Sequence, residues 1–343
     1  MTPTSGSNTQ LNALLRGAGI ATLHQISWIR VTGTDRVRWL NGMATNSVQD
    51  LAAGTGAYNF FLNAQGRIQA DGNIFASTDE LWIETWHHQI ATLIPYLDHY
   101  IIMDDVELTD LSETRHGLTL IGPEAPRLLK QLGLATEDLP VLAVRTLSWN
   151  STILTLIRAH DPLVPRYELW VGSEKEAEAL QRDLEGNGAL LCEAEALDWL
   201  RILEGTPLYG TDIRDRDLPQ ETNQTRALHF NKGCYLGQEI VERIRSRGNV
   251  HRTLMAFRLE GTLPASGTPL ESVGKQVGEL TSVATIPIAG ANLQRALGYI
   301  RREALERQEP IQYAGGTAYP DSSPFSGAET ESPSHASEFQ ERI

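Results

Sequence analysis

Runs of apolar and β-branched residues at 26–31, 58–62, 68–76 and 81–85 predict strands. The last two are joined by Ser-Thr-Asp-Glu at 77–80, and Asn-Ala-Gln-Gly at 63–66 is a turn signal. Thr34 or Asp35 predicts the cap of a short helix that holds Val37 and Leu40 and ends near Gly42. Apolar periodicity over about 88–99 predicts a second helix. A related pattern then recurs. Residues 118–121, 153–158 and 167–171 read as strands, and Pro123 stands at the first turn of a helix reaching Leu132, with Gly133 behind it. Ser173 and Glu176 form a capping-box pattern for a helix carrying Ala177, Leu180 and Leu184 and ended by Gly186. Over 193–204, Ala194, Leu197, Leu200, Arg201 and Glu204 share one helical face, Gly205 is a C′ residue, and Pro207 prevents continuation. Past Gly248 the texture turns β-rich: 251–259, 268–270, 276–286 and 296–300 are separated by Gly and Pro turns.

These elements imply an α+β chain: two α/β modules around a central cavity, followed by a small C-terminal β-barrel. The boundaries read as an N-terminal arm at 1–19, two α+β subdomains over 20–248 with room to exchange segments, a barrel at 249–310, and a tail at 311–343. The arm is polar, although Leu11, Leu14 and Leu15 could dock as a helix. The tail is rich in Ser, Gly and Glu with little to bury, and it is expected to be disordered.

The length of 343 residues is ample for a large core, and the 41% hydrophobic and 21% charged fractions are those of a soluble globular protein. A net charge of −14 argues against direct binding to nucleic acid or anionic membrane. Pro95, Asp98 and His99 interrupt the apolar stretch at 89–103, so no membrane span is expected. The start lacks the basic and apolar regions of a secretory signal. Two cysteines form no disulfide framework, and no Cys/His cluster has metal-ligand spacing. A cytoplasmic protein with no bound metal is the expectation.

One of the two cysteines lies in Asn-Lys-Gly-Cys-Tyr-Leu-Gly-Gln-Glu at 231–239. Lys232 is one of only four lysines, and helical spacing of Ile240, Val241 and Ile244 follows. A thiol at a helix start beside an ammonium is favoured as thiolate, so Cys234 and Lys232 are the candidate reactive pair. The alternative is a small buried hydrophobe. Glu204 is the second candidate. A carboxylate in the last turn of a helix faces the negative end of the peptide dipoles, which costs up to about 1 kcal/mol unless something compensates. Arg201, one turn earlier, could do so; so could the N–H donors of a ligand. The turn-rich stretch from Pro207 to Asn223 is a long loop of the kind that often serves function.

Lys-Gly-Cys-Tyr-Leu-Gly-Gln-Glu at 232–239 resembles the signature of the YgfZ family, folate-binding proteins that support iron–sulfur cluster assembly and repair, within the superfamily of the glycine-cleavage aminomethyltransferase (T-protein). Further pieces fall in the same order over about 20–310: Trp39-Leu-Asn-Gly-Met-Ala-Thr-Asn-Ser-Val, Phe61-Leu-Asn-Ala-Gln-Gly-Arg-Ile68, Arg201-Ile-Leu-Glu-Gly205 with Leu208-Tyr-Gly210, Leu218-Pro-Gln-Glu with Asn223, and Gln276-Val-Gly-Glu-Leu-Thr-Ser282. The resemblance implies a T-protein-like fold, tetrahydrofolate or a one-carbon derivative as cofactor, and iron–sulfur proteins or their assembly factors as partners. It implies that Glu204 reads the pterin, that Tyr209 flanks it, and that Lys232 and Cys234 line the cavity near the reactive end of the folate. Arg201, Gln238 and Arg252 complete the candidate folate-binding set, with Gln238 and Glu239 also orienting the loop. Arg243, Arg245, Arg247 and Arg252 form a basic run that could meet folate carboxylates, an anionic partner or only solvent. Where T-proteins carry two adjacent acids this chain has Ala70-Asp71. Alanine handles no proton, so the enzyme alternative, aminomethyl transfer or demethylation, is disfavoured on the sequence, and Asp71 is expected to aim elsewhere. A folate-independent thiol redox sensor is the third reading.

Overall fold

The computed structural model describes residues 5–134, 136, 138–248, 250–321 and 324–325. The chain opens with helix α1 (Ser5–Arg16), whose Leu11 and Leu14 are buried, and passes into β1 (Gly19–Thr22). The arm is therefore docked, held by its leucines against a later helix.

The first module is built from β2 (Ile26–Thr32), α2 (Arg36–Met43), β3 (Gly56–Leu62), β4 (Ile68–Ala76), β5 (Leu81–Trp86), α3 (His87–Asp98) and β6 (Glu107–Asp110). Its antiparallel sheet runs β3-β4-β5-β2-β6. Alternation along the strands gives it two buried faces. Ile29, Phe61, Ala70, Ile74 and Ile83 pack with Leu40 and Met43 of α2 and Leu93 and Leu97 of α3. Trp28, Tyr58, Phe60 and Phe75 point the other way.

The second module holds β7 (His116–Ile121), α4 (Ala125–Gln131), β8 (Val144–Trp149), β9 (Thr152–Arg158), β10 (Arg166–Val171), α5 (Glu174–Gly186), β11 (Leu190–Leu191) and α6 (Ala194–Glu204). Its sheet runs β11-β1-β7-β10-β9-β8. β1 thus leaves the arm to sit between β11 and β7, so the chain gives the second sheet a strand before building the first. Ser173 Oγ accepts from the Glu176 amide, as the capping pattern predicts, and Gly205 ends α6 in the left-handed region. Leu154, Leu156, Tyr167, Leu169 and Val171 face the module's own helices. Ile157 and Trp170 instead join Trp28, Tyr58, Phe60 and Phe75 in one apolar cluster. The two sheets therefore meet across a seam.

A 206–237 connection with two single 3₁₀ turns (Pro219–Glu221 and Thr225–Ala227) leads to α7 (Gln238–Arg247). The third body is a closed barrel of β12 (Arg252–Gly261), β13 (Pro269–Ser272), β14 (Lys275–Ile288), β15 (Ala291–Arg301), β16 (Ile311–Tyr313) and β17 (Gly316–Asp321), ordered β12-β15-β14-β13-β16-β17, with α8 (Arg302–Glu306) between β15 and β16. This corrects the tail expected from 311. Ile311, Tyr313 and Ala318 are buried in the barrel core, and β17 hydrogen-bonds β12 and β16 to close it. Residues 326–343 of the expected tail lie outside the described residues. Leu11 and Leu14 of α1, Leu200 and Leu203 of α6, and Ala284 and Ile286 of β14 form the joint between barrel and modules. Fully buried Asp212 pins it by accepting from Arg201 (2.6 Å), Ser282 (2.8 Å) and Thr281. Among the described residues no helix is long and apolar enough to cross a membrane.

Candidate functional site

Strand alternation aims one set of polar side chains from each sheet into the seam. On β4 these are Asp71 and Asn73; on β10 they are Arg166 and Glu168. Asp71 pairs with Phe60 in register and shares its face, whereas Ala70 pairs with Phe61 and lies in the helix-facing core. This corrects the reading of the Ala70-Asp71 pair. An acid at 70 would point into hydrocarbon; the acid present at 71 faces the seam. Asp71 is 5% exposed and accepts from Tyr58 Oη (2.6 Å) and Gln89 Nε2 (2.7 Å). Burial pushes its carboxyl above the usual range, opposed by those two hydrogen bonds and by the charges of Arg226 and His88. The Arg226 guanidinium lies 3.9 Å from the centre of the Tyr58 ring.

Glu204, 3% exposed, receives Arg166 Nη2 at both oxygens (3.1 and 3.0 Å). Burial pushes this carboxyl up, and Arg166 pulls it down. Of the two compensations the sequence leaves open, Arg201 or a ligand, Arg201 acts on Glu204 only through its charge, because its guanidinium is committed to Asp198, Asp212, Ser282 and the Thr206 carbonyl. Arg166 Nε is buried with no hydrogen-bond partner. His160, pushed down to about 4 by burial and then by the charges of Arg226 and Arg166, stands between the two arginines' fields. Asp71, Arg226, His160, Arg166 and Glu204 thus act on one another through their charges. Tyr209 joins them: its hydroxyl donates to the Gln69 carbonyl (2.6 Å) and its ring stacks on His88 (6.4 Å between centroids, 22°).

The Cys234 loop sits elsewhere on the first module. Lys232 Nζ donates to the carbonyls of Asn41 (2.6 Å), Ala44 (2.7 Å) and Asn46 (2.7 Å) and lies 5.0 Å from the Tyr235 ring centre. Burial pushes this amine down to about 7. The carbonyl cage works in the opposite direction, since only an ammonium has three N–H to give. Lys232 therefore fastens the loop to the C-terminal end of α2, where a cation complements the dipole. Cys234 is exposed, unlike buried Cys192, so it is not a packed hydrophobe. Nor is it at the helix start: α7 begins at Gln238 with Gly237 as N-cap. Gln238 orients the loop, its side-chain oxygen accepting from the Tyr235 amide (3.3 Å). Tyr235 is buried in the seam cluster with Tyr58, which puts the exposed Cys234 one residue outside that cluster. Gly237 has φ +82, and a Cβ there would meet the Asn63 carbonyl oxygen at 2.6 Å. Gly237→Ala is expected to destabilise by about 1–3 kcal/mol, read as a lowered denaturation midpoint.

Arg252 belongs to the joint below the barrel. It donates to Asp217 (2.6 Å) and Glu221 (3.1 Å) and stacks 4.5 Å from the Tyr299 ring centre, lining a cleft with Arg216 and Arg301. On α7, Arg243 and Arg245 are exposed, with Arg245 bound to Glu242 and the Phe230 ring. The side chain of Arg247 lies outside the described residues. The structure thus gathers Glu204 and Tyr209 toward the seam with Asp71, Arg226, Arg166 and His160. It assigns Arg201 and Arg252 to joints, and Lys232, Cys234 and Gln238 to a loop at the rim. Arg166 and Arg226 were missed because their partners come from distant segments; the signal was the paired acids Glu204 and Asp71, each of which needs a counter-charge when buried. Among the described residues no group of three or more His, Cys, Asp or Glu side chains is arranged to hold a metal.

Residues 4–232 match the family model described as the GCVT N-terminal domain, and residues 252–323 match that of the CAF17 C-terminal beta-barrel domain. A chloroplastic protein of Arabidopsis thaliana named as a transferase is 25% identical, covering 86% of this chain and 68% of its own. The aminomethyltransferase of a Nostoc species is 26% identical over 92% of this chain and 86% of its own. Among solved structures, the glycine cleavage system aminomethyltransferase T of Bartonella henselae superimposes with a TM-score of 0.83 at 19% identity, over 93% of this chain and 89% of its own.

Proposed function

The chain belongs to the GCVT N-terminal domain family and carries the CAF17-type barrel, and from that premise we propose that it binds a reduced folate at the seam and serves iron–sulfur proteins or their assembly factors. The observation that carries the folate reading is the pairing of Glu204 with Arg166. A single guanidinium nitrogen spans both carboxylate oxygens, so each oxygen keeps acceptor capacity, while the buried Nε of the same arginine lacks an acceptor. Two acceptors beside one donor complement the pterin edge, which offers a ring N–H, an exocyclic amine and a carbonyl. Tyr209 and His88 supply an aromatic wall, and Arg226 a cation for an anionic part of the ligand. The folate brings a carried one-carbon unit; the chain's residues orient it and exclude water. Cys234, exposed at the rim, is the thiol available to a partner, and Cys234→Ser is the variant that separates partner support from folate binding.

A second reading, folate-dependent aminomethyl transfer, gains from the position of Asp71. A seam-facing acid held above the usual range by burial is suited to handling a proton. Calorimetry with tetrahydrofolate on wild type and Glu204→Gln tests the binding claim. The amide keeps the shape but gives up the carboxylate's paired acceptors, and affinity is expected to fall by about 2–3 kcal/mol, a factor of roughly 30 or more. Unchanged affinity would remove Glu204 from the site. Methylene-transfer turnover abolished in Asp71→Asn would establish the second reading over the first.

A further inference from the structure

One row of the first sheet, Trp28, Glu84 and Asn73, lies in register across β2, β5 and β4 and faces Glu168 and Trp170 of β10. Trp28 meets Trp170 edge-on at 5.2 Å between centroids, so this row carries an aromatic contact between the modules. Glu84 is 5% exposed and accepts from Asn73 Nδ2 (2.7 Å), and the second carboxylate, Glu168, acts on it across the seam. Glu168 in turn accepts from Trp170 Nε1 (3.0 Å). Trp28 and Trp170 bring these two carboxylates to one buried spot, where like charges do not both ionise and one acid keeps its proton. Oε1 of Glu84 is buried and receives no hydrogen bond, as a protonated oxygen would. Arg115 is the cation at this spot, lying 4.6 and 4.4 Å from the ring centres of Trp28 and Trp82. Its charge is shared between Glu84 and Glu80, and Glu80 also accepts from Trp82 Nε1. Among the described residues, these are the charged groups that face Glu84 from the two modules.

We propose that Glu84 and Glu168 form a proton-sharing latch that holds the two modules closed, so that loss of the shared proton loosens the seam leading to Asp71 and Glu204. It stands whether or not a folate is the ligand. Burial and the second carboxylate both raise the Glu84 carboxyl well above its usual value. The closed seam therefore holds a proton that an opened seam releases at about pH 4.3. As pH rises above that value, the open form gains on the closed one until the closed pair ionises too. Acidity closes the latch and alkalinity opens it.

The tryptophans of the seam make the test local. Emission and acrylamide quenching are followed from about pH 5 to about pH 9 on wild type, Glu84→Gln and Glu168→Gln, with far-UV dichroism checking that each is folded. In wild type the emission is expected to shift to longer wavelength and quenching to rise with pH. In either variant the amide donates to the remaining carboxylate without a titrating proton, and both responses are expected to flatten. A wild-type response that persists unchanged in Glu84→Gln, or in Glu168→Gln if the first does not fold, overturns the latch. So does failure of both variants to fold at neutral pH, because removing the repulsion stabilises a seam held in this way.

Discussion

Glu204→Ala is expected to lower folding stability by about 3–5 kcal/mol, because it strands Arg166 as a mostly buried cation without its partner. The Glu204 side chain is fully buried and Arg166 is only 23% exposed, so water cannot take over the lost contact. The cost comes from the orphan rather than from the pair. A double variant, Glu204→Leu with Arg166→Met, is therefore expected to recover most of it, since a buried ion pair and a well-packed apolar pair are often similar in stability. Urea denaturation of the three proteins measures both steps. A loss below about 1 kcal/mol in the single variant would mark the pair as solvated, like an ordinary surface ion pair. On the proposed reading the double variant keeps the fold and loses affinity for tetrahydrofolate, which separates the stabilising role of Glu204 from its proposed binding role.

Lys232→Met is expected to cost about 2–4 kcal/mol and to free the Cys234 loop. Three carbonyl oxygens at the end of α2 and just beyond it lose their donors at once, and the thioether offers none. Lys232→Arg is expected to rescue little. The planar guanidinium spreads its donors over a fork, whereas the three acceptors converge on one nitrogen. Denaturation midpoints give the stability loss, and the alkylation rate of Cys234 reports the loop. If the loop holds the thiol in place, alkylation in Lys232→Met is expected to change while Cys192, buried and pushed up to about 11, stays inert. An unchanged midpoint would mean that water replaces the ammonium in its cage.

The first sheet was legible because its main strands are runs of apolar and β-branched residues and its turns carry their own residues. The strands that escaped were short or exposed. β6 and β11 contribute no buried residue, β8 alternates weakly, and β1 is four residues long. β16 and β17 were hidden in a Gly- and Ser-rich stretch. Only Ile311, Tyr313 and Ala318 mark them, and closure depends on pairing with β12, far back in the chain. In the candidate site, the need for a counter-charge was legible at Glu204, whose place in the last turn of a helix demanded a partner. That Arg166 would be that partner was not, since contact between a strand and a later helix leaves no periodic trace. The Ala70-Asp71 step shows the limit most clearly. The resemblance to T-proteins said that one acid was missing; register decided which of the two positions faced the seam.

The early strand β1, inserted between β11 and β7, has a consequence for any attempt to divide this protein. A cut between the sheets would not yield two independent halves. The second half would carry two raw strand edges where β1 belongs, and the first would trail a strand with nowhere to pair. The modules are stitched rather than strung, and a hinge motion between them must leave that thread in place.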